Sequence, residues 1–60
     1  MLRKSEKQQN IELAEDYAQK GANVARTGRE QGNLQLEQDG HEMIDWALEH
    51  RRIWQSRKGA

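Results

Sequence analysis

The sequence predicts an all-α protein in which two helices, at about residues 5–31 and 34–57, fold back on each other as an antiparallel hairpin. Three observations support this fold class. The chain of 60 residues contains no proline and is rich in Glu, Gln, Lys, Arg, Ala and Leu, which favour helix over strand. Small residues recur at helical spacing through the first half of the chain. A Gly-Asn pair then interrupts the pattern at residues 32–33.

The first helix is predicted to begin at Ser5, with residues 1–4 frayed before it. Ser5 and Gln8 are three apart and match a capping box. Beyond them, residues that suit a close helix contact alternate at spacings of three and four: Ile11, Ala14, Ala18, Gly21, Ala25 and Gly28. This heptad seam of small residues lets a second backbone approach closely. The plainer alternative is that Gly28 and Gly32 only mark a weak last turn.

The bend between the helices has two candidate positions. Gly32-Asn33 suits a helix end, since glycine adopts the left-handed conformation there and asparagine caps the helix that follows. At Asp39-Gly40, Asp39 and Glu42 form a second capping box, and residues 33–38 become a loop. We favour the first position, because four-three spacing continues through both segments at Leu36, Gly40, Met43, Ala47, His50 and Trp54.

A hairpin of this size is expected to need a partner. We interpret residues 1–60 as one small domain, frayed at 1–4 and 58–60, and a chain of this length buries only about 60% of its unfolded surface. Two helices cannot enclose a core, and the chain has no cysteine to cross-link it. The sequence therefore predicts a homodimer in which two hairpins form a four-helix bundle.

A second stripe on the second helix is the predicted interface. Trp46 and Ile53 are seven apart and share one line of that helix, at or beyond the edge of the seam. Tryptophan and arginine are enriched at interface hot spots. We therefore predict that the contact with a partner or a second copy involves Met43, Trp46, His50, Ile53 and Trp54. The stripe is either the homodimer seam or the docking site for another protein.

Charge is unevenly distributed although the net charge is zero. Residues 1–11 and 50–60 hold seven cations against one acid, whereas residues 12–49 hold nine acids against three cations. A hairpin gathers the seven cations at one end, where they are candidate contacts for phosphate or an acidic protein: Arg3, Lys4, Lys7, Arg51, Arg52, Arg57 and Lys58. Nucleic-acid binding is thus the alternative function, although overall neutrality argues against extended duplex binding.

No motif for chemistry stands out. His41 and Asp45 share one helix face and echo the H-E-x-x-H zinc motif, but a catalytic zinc site needs a third protein ligand and a cleft. His50 lies on the seam, where a half-buried interface histidine is a simpler interpretation than a catalyst. We therefore expect no catalytic, cofactor or metal site, and a protein that is not an enzyme.

The expected role is that of a small regulatory or adaptor protein that works through protein–protein interaction. No stretch approaches the roughly 20 apolar residues of a membrane span, and the first residues do not resemble a signal peptide. We therefore expect no membrane partner and a cytoplasmic location, in the style of a bacterial or phage protein. A third possibility is a segment that stays disordered until it binds a partner.

Overall fold

A computed structural model describes residues 3–57 and shows two α-helices, α1 (Glu6–Gln31) and α2 (Leu34–Ser56), packed side by side as a hairpin. The predicted all-α hairpin is confirmed, and each helix bound agrees with the prediction to within one residue. Residues 3–5 precede α1 without helical structure. The remaining residues that were expected to fray, 1–2 and 58–60, lie outside the described part of the chain.

Local hydrogen bonds set the start of α1 and the bend. The Ser5 hydroxyl accepts a bond from the backbone N–H of Gln8 at 3.1 Å, which caps α1. At the other end Gly32 has φ 67°, and its N–H donates to the Arg29 carbonyl at 3.2 Å. The Asn33 N–H donates to the Gly28 carbonyl at 2.7 Å, which completes a Schellman motif.

Asn33 then caps α2, because its side-chain oxygen accepts from the Leu36 N–H at 3.1 Å. The bend therefore occupies Gly32-Asn33, the favoured position. The alternative bend at Asp39-Gly40 is wrong, since residues 33–38 are not a loop and Gly40 lies inside α2.

Replacing Gly32 with alanine is expected to lower the free energy of unfolding by roughly 1–2 kcal/mol, the cost of a Cβ atom in the left-handed region. Crowding plays no part, since a Cβ atom built at Gly32 has no neighbour within 4 Å. Urea unfolding followed by circular dichroism measures the loss. Gly32→Asn is the matched control, because asparagine tolerates this conformation and should lose less. Equal stability of the alanine variant and the parent chain would contradict the expectation.

The two helices are in backbone contact along the seam. A Cβ atom built on Gly40 would lie 2.6 Å from both the Ala25 Cα and the Gly21 carbonyl oxygen. One built on Gly28 would lie 2.9 Å from the Glu37 Cα. These distances leave no room for a side chain, so α1 and α2 meet where glycine and alanine face each other.

The buried residues of the described chain are all alanine or glycine: Ala14, Gly21, Ala25, Gly28, Gly40 and Ala47. Four of them belong to the seam predicted on α1. The other two seam residues, Ile11 and Ala18, are half-buried at its edge. No side chain of residues 3–57 larger than alanine is buried.

The hairpin is a flat slab one helix thick, with Cα extents of 45 × 24 × 9 Å. Because no third element covers it within residues 3–57, both broad faces meet solvent. Neither α1 nor α2 is long and apolar enough to cross a membrane.

Candidate interaction surface

Aromatic rings form a continuous line along one broad face. The Tyr17 ring on α1 meets the Trp46 ring on α2 edge-on, with centroids 5.2 Å apart and planes at 74°. Trp46 stacks on His50 at 4.8 Å with an interplanar angle of 10°, and His50 meets Trp54 at 6.2 Å. The three α2 rings follow one another at intervals of four residues, the spacing of neighbours on a helix surface.

His50 ties this line of rings to α1. Its Nε2 atom lies 3.2 Å from the Asn10 side-chain oxygen, so that a ring N–H donates to the amide oxygen across the seam. The hydrogen bond holds the imidazole ring flat against Trp46. The predicted interface histidine therefore lies at the edge of the seam, half-buried, and supports the exposed tryptophan.

Large apolar side chains on this face are open to solvent. Trp46 is 51% exposed, Leu13 57% and Ile53 45%. Leu13, Tyr17 and Trp46 line an open groove of about 320 Å³. We call this surface the aromatic face and define it by six residues: Leu13, Tyr17, Trp46, His50, Ile53 and Trp54. Tryptophan and tyrosine contribute large contact areas when a partner covers them, and a contiguous exposed apolar patch often marks an interaction site.

The predicted interface residues do not all lie on this surface. Trp46 and Ile53 are exposed, and His50 and Trp54 are half-buried beside them. Met43 instead packs between the helices, where its Cβ atom would be 2.8 Å from a Cβ atom built on Gly21.

Leu13 and Tyr17 were not among the predicted interface residues. A signal for them was present, since in a helical projection both flank the small-residue seam of α1 on one side.

The opposite broad face carries ion pairs. Arg51 lies 3.4 Å from Glu15, and Arg29 lies 3.1 Å from Glu37, so each pair joins the two helices. Residues 46 and 51 are about 140° apart around α2, which places these pairs away from the aromatic face. The two faces of the slab therefore differ in chemistry: one is aromatic and the other ion-paired.

The hairpin gathers the predicted cations at the end of the slab away from the bend. The Lys7 ammonium donates to the Arg57 carbonyl at 3.0 Å, which places the two ends of the described chain side by side. Lys58 lies outside the described residues.

Acids already pair with half of the six described cations at this end. Lys4 lies 2.8 Å from Glu12. Arg52 lies 2.7 Å from Glu49, and Arg51 pairs with Glu15. The Arg57 guanidinium lies 4.2 Å from the centre of the Trp54 ring and covers it. These contacts reduce the charge and the aromatic surface that this end offers to phosphate and bases.

His41 and Asp45, the residues that echo a zinc motif, are both exposed on α2. Within residues 3–57 no three histidine, cysteine, aspartate or glutamate side chains are grouped to hold a metal ion.

Comparison with protein-family profiles, with curated proteins and with solved structures found no match to this chain.

Proposed function

We propose that the chain is a small, non-enzymatic regulatory or adaptor protein that acts through protein–protein interaction, as a helical hairpin that self-associates through its aromatic face. The observation that carries the proposal is that the usual burial of large apolar side chains is reversed in this hairpin. Only alanine and glycine are buried between α1 and α2, whereas Leu13, Trp46 and Ile53 are about half exposed.

The energetics of burial support a partner for this face. Burying a fully exposed large apolar side chain contributes roughly 1.5–3 kcal/mol, so covering one that is half exposed contributes about half of that. The small side chains of the seam contribute less each. A partner that binds only the folded hairpin also stabilises it by mass action. Binding and folding are therefore coupled in this proposal, and the hairpin is most stable when the aromatic face is occupied.

Nucleic-acid binding is the second candidate function, because the fold does bring Arg3, Lys7 and Arg57 to one end. Two features make it the weaker candidate. Three of the described cations there have carboxylate partners. Arg57 also covers the ring of Trp54, which would otherwise stack on a base.

Sedimentation equilibrium at about 50 mM and about 200 mM salt, with and without a labelled single-stranded oligonucleotide, separates the two candidates. We expect a dimer at both salt concentrations and no change in the sedimentation of the oligonucleotide, because apolar contacts resist salt. Binding of the oligonucleotide at low salt that is lost at higher salt would favour the basic end instead. A monomer under all conditions would overturn self-association.

A further inference from the structure

One stripe of α2 on the aromatic face changes from acidic near the bend to basic near the chain ends. Its members recur every three or four residues and lie within about 80° of one another around the helix axis: Asp39, Glu42, Trp46, His50, Ile53 and Arg57. We call it the α2 stripe. The acids lie in the half near the bend, the rings lie in the middle, and Ile53 and Arg57 lie near the chain ends. Asp39, Glu42 and Arg57 are exposed.

The α2 stripe is complementary to itself when reversed. Trp46 and His50 are placed symmetrically about position 48, and so are Asp39 and Arg57. When a second copy of α2 lies antiparallel with the two positions 48 opposite each other, each Trp46 therefore meets a His50. Each Arg57 likewise meets an Asp39. This one antiparallel alignment of the two α2 helices therefore pairs both the rings and the charges.

The first helix shares this symmetry centre. Most contacting residues of α1 and α2 have numbers that sum to about 63–65, as in Tyr17 with Trp46 and Ala25 with Gly40, whereas His50 reaches further along the helix to Asn10. Tyr17 is therefore level with positions 46–48. A two-fold axis through this level brings the Tyr17 side chains of the two copies together beside the pair of Trp46 rings.

Charge selects the antiparallel arrangement over the parallel one. Parallel copies would place the basic ends together, each with six described cations, of which three pair with acids of their own copy: Arg3, Lys4, Lys7, Arg51, Arg52 and Arg57. Antiparallel copies place each basic end over the Asp39 and Glu42 half of the other copy. Like charges brought together cost free energy, whereas complementary ends fix the register.

We propose that the occupant of the aromatic face is a second copy of this chain, bound face to face and antiparallel, with the α2 stripes of the two copies in contact and centred on position 48. This inference rests on the proposed self-association and specifies its geometry. The slab measures 45 × 24 Å, a footprint of roughly 1,000 Å². Full overlap therefore exceeds the roughly 800 Å² that each partner of a standard interface buries.

Disulfide trapping tests the geometry without background thiols, because the chain has no cysteine. In the proposed dimer, Ile53 lies opposite position 43, next to Glu42 of the other copy. In a parallel dimer Ile53 would instead lie opposite Leu13, which is level with it. Ile53→Cys is therefore mixed with Glu42→Cys in one experiment and with Leu13→Cys in the control, under mild oxidation. Mass spectrometry identifies the mixed product, since a disulfide needs Cα atoms within about 7 Å.

We expect at least about tenfold more mixed disulfide from the Ile53/Glu42 pair than from the Ile53/Leu13 pair. The reverse ratio would overturn the antiparallel geometry and leave self-association standing. A sedimenting dimer that gives neither product would also overturn it, since the copies would then meet through another face. If the parent chain sediments as a monomer, both the geometry and the proposed self-association fail. Should Ile53→Cys itself prevent dimerisation, Asp39→Cys with Arg57→Cys replaces the first pair. Glu6→Cys with Arg57→Cys, which would lie close together only in a parallel dimer, then replaces the control pair, with the same expected ratio.

Discussion

Replacing Gly40 with alanine is expected to lower the free energy of unfolding by about 2 kcal/mol or more. The added methyl group would meet the Ala25 nitrogen, and would lie 2.6 Å from the Ala25 Cα and from the Gly21 carbonyl oxygen. All three are backbone atoms, so the clash is relieved only by moving the helices apart along the seam. Overpacking of this kind costs about 1–3 kcal/mol and occasionally more. For a domain of this size, such a loss is a large fraction of the total stability.

The sign of the Gly40→Ala effect is decisive, because helix propensity works in the opposite direction. In an exposed helix position the same change stabilises by roughly 1 kcal/mol. Urea unfolding monitored by circular dichroism measures the net effect. Gly21→Ala is a graded comparison with a smaller expected loss, because its contacts would be longer: the added Cβ atom would lie 2.8 Å from the Gly40 carbonyl oxygen and from the Met43 Cβ, and 3.1 Å from the Ile44 Cγ1. A stabilised Gly40→Ala variant would show that the helices are not in backbone contact.

Replacing Trp46 with alanine is expected to raise the Kd of self-association by about 30-fold or more, which corresponds to the roughly 2 kcal/mol typical of an interface hot spot. The side chain is 51% exposed in the single hairpin and lines the groove with Leu13 and Tyr17. Each dimer loses two tryptophans, so the increase of about 30-fold in Kd is a lower bound. Sedimentation equilibrium over a range of protein concentrations measures the change in Kd.

Leu48→Ala is the matched control for Trp46→Ala. Leu48 is 52% exposed, equal to Trp46, but it lies about 160° away around α2, on the ion-paired side. We expect the Kd for self-association of the Leu48→Ala variant to differ from that of the parent chain by less than about threefold, within the range of ordinary surface substitutions. Equal weakening by the two variants would mean that the loss comes from general destabilisation of α2 and not from the aromatic face. Helix content measured at low protein concentration shows whether each variant hairpin still folds.

The hairpin was predictable from sequence because its signals are local and periodic. Gly32 and Asn33 form a helix stop and start whose hydrogen bonds stay within a few residues of the bend. The spacing of Ala14, Gly21 and Ala25 repeats with the helix period, so the buried side of α1 follows from counting alone.

The details of the aromatic face depend on how α1 and α2 are offset along their length, and spacing does not determine that offset. A seam of small residues looks alike at successive turns. The pairing of His50 with Asn10 therefore could not be predicted, nor could the contact of Trp46 with Tyr17. Helical spacing does not predict the pairing of Lys4 with Glu12 either, because Lys4 precedes α1 and its side chain reaches along the helix to a residue eight positions away.

Because the buried residues of the seam are all glycine or alanine, the chain has two sets of residues that tolerate substitution to different extents. Gly28 and Gly40 admit no larger residue, whatever the hairpin binds, because each faces backbone of the other helix. Trp46 and Ile53 are about half exposed and lie outside the buried seam, so we expect that they can change with the partner without altering the fold. Among related chains we therefore expect the spacing of the buried glycines and alanines to be shared, and the large exposed residues to differ with the partner that each chain binds.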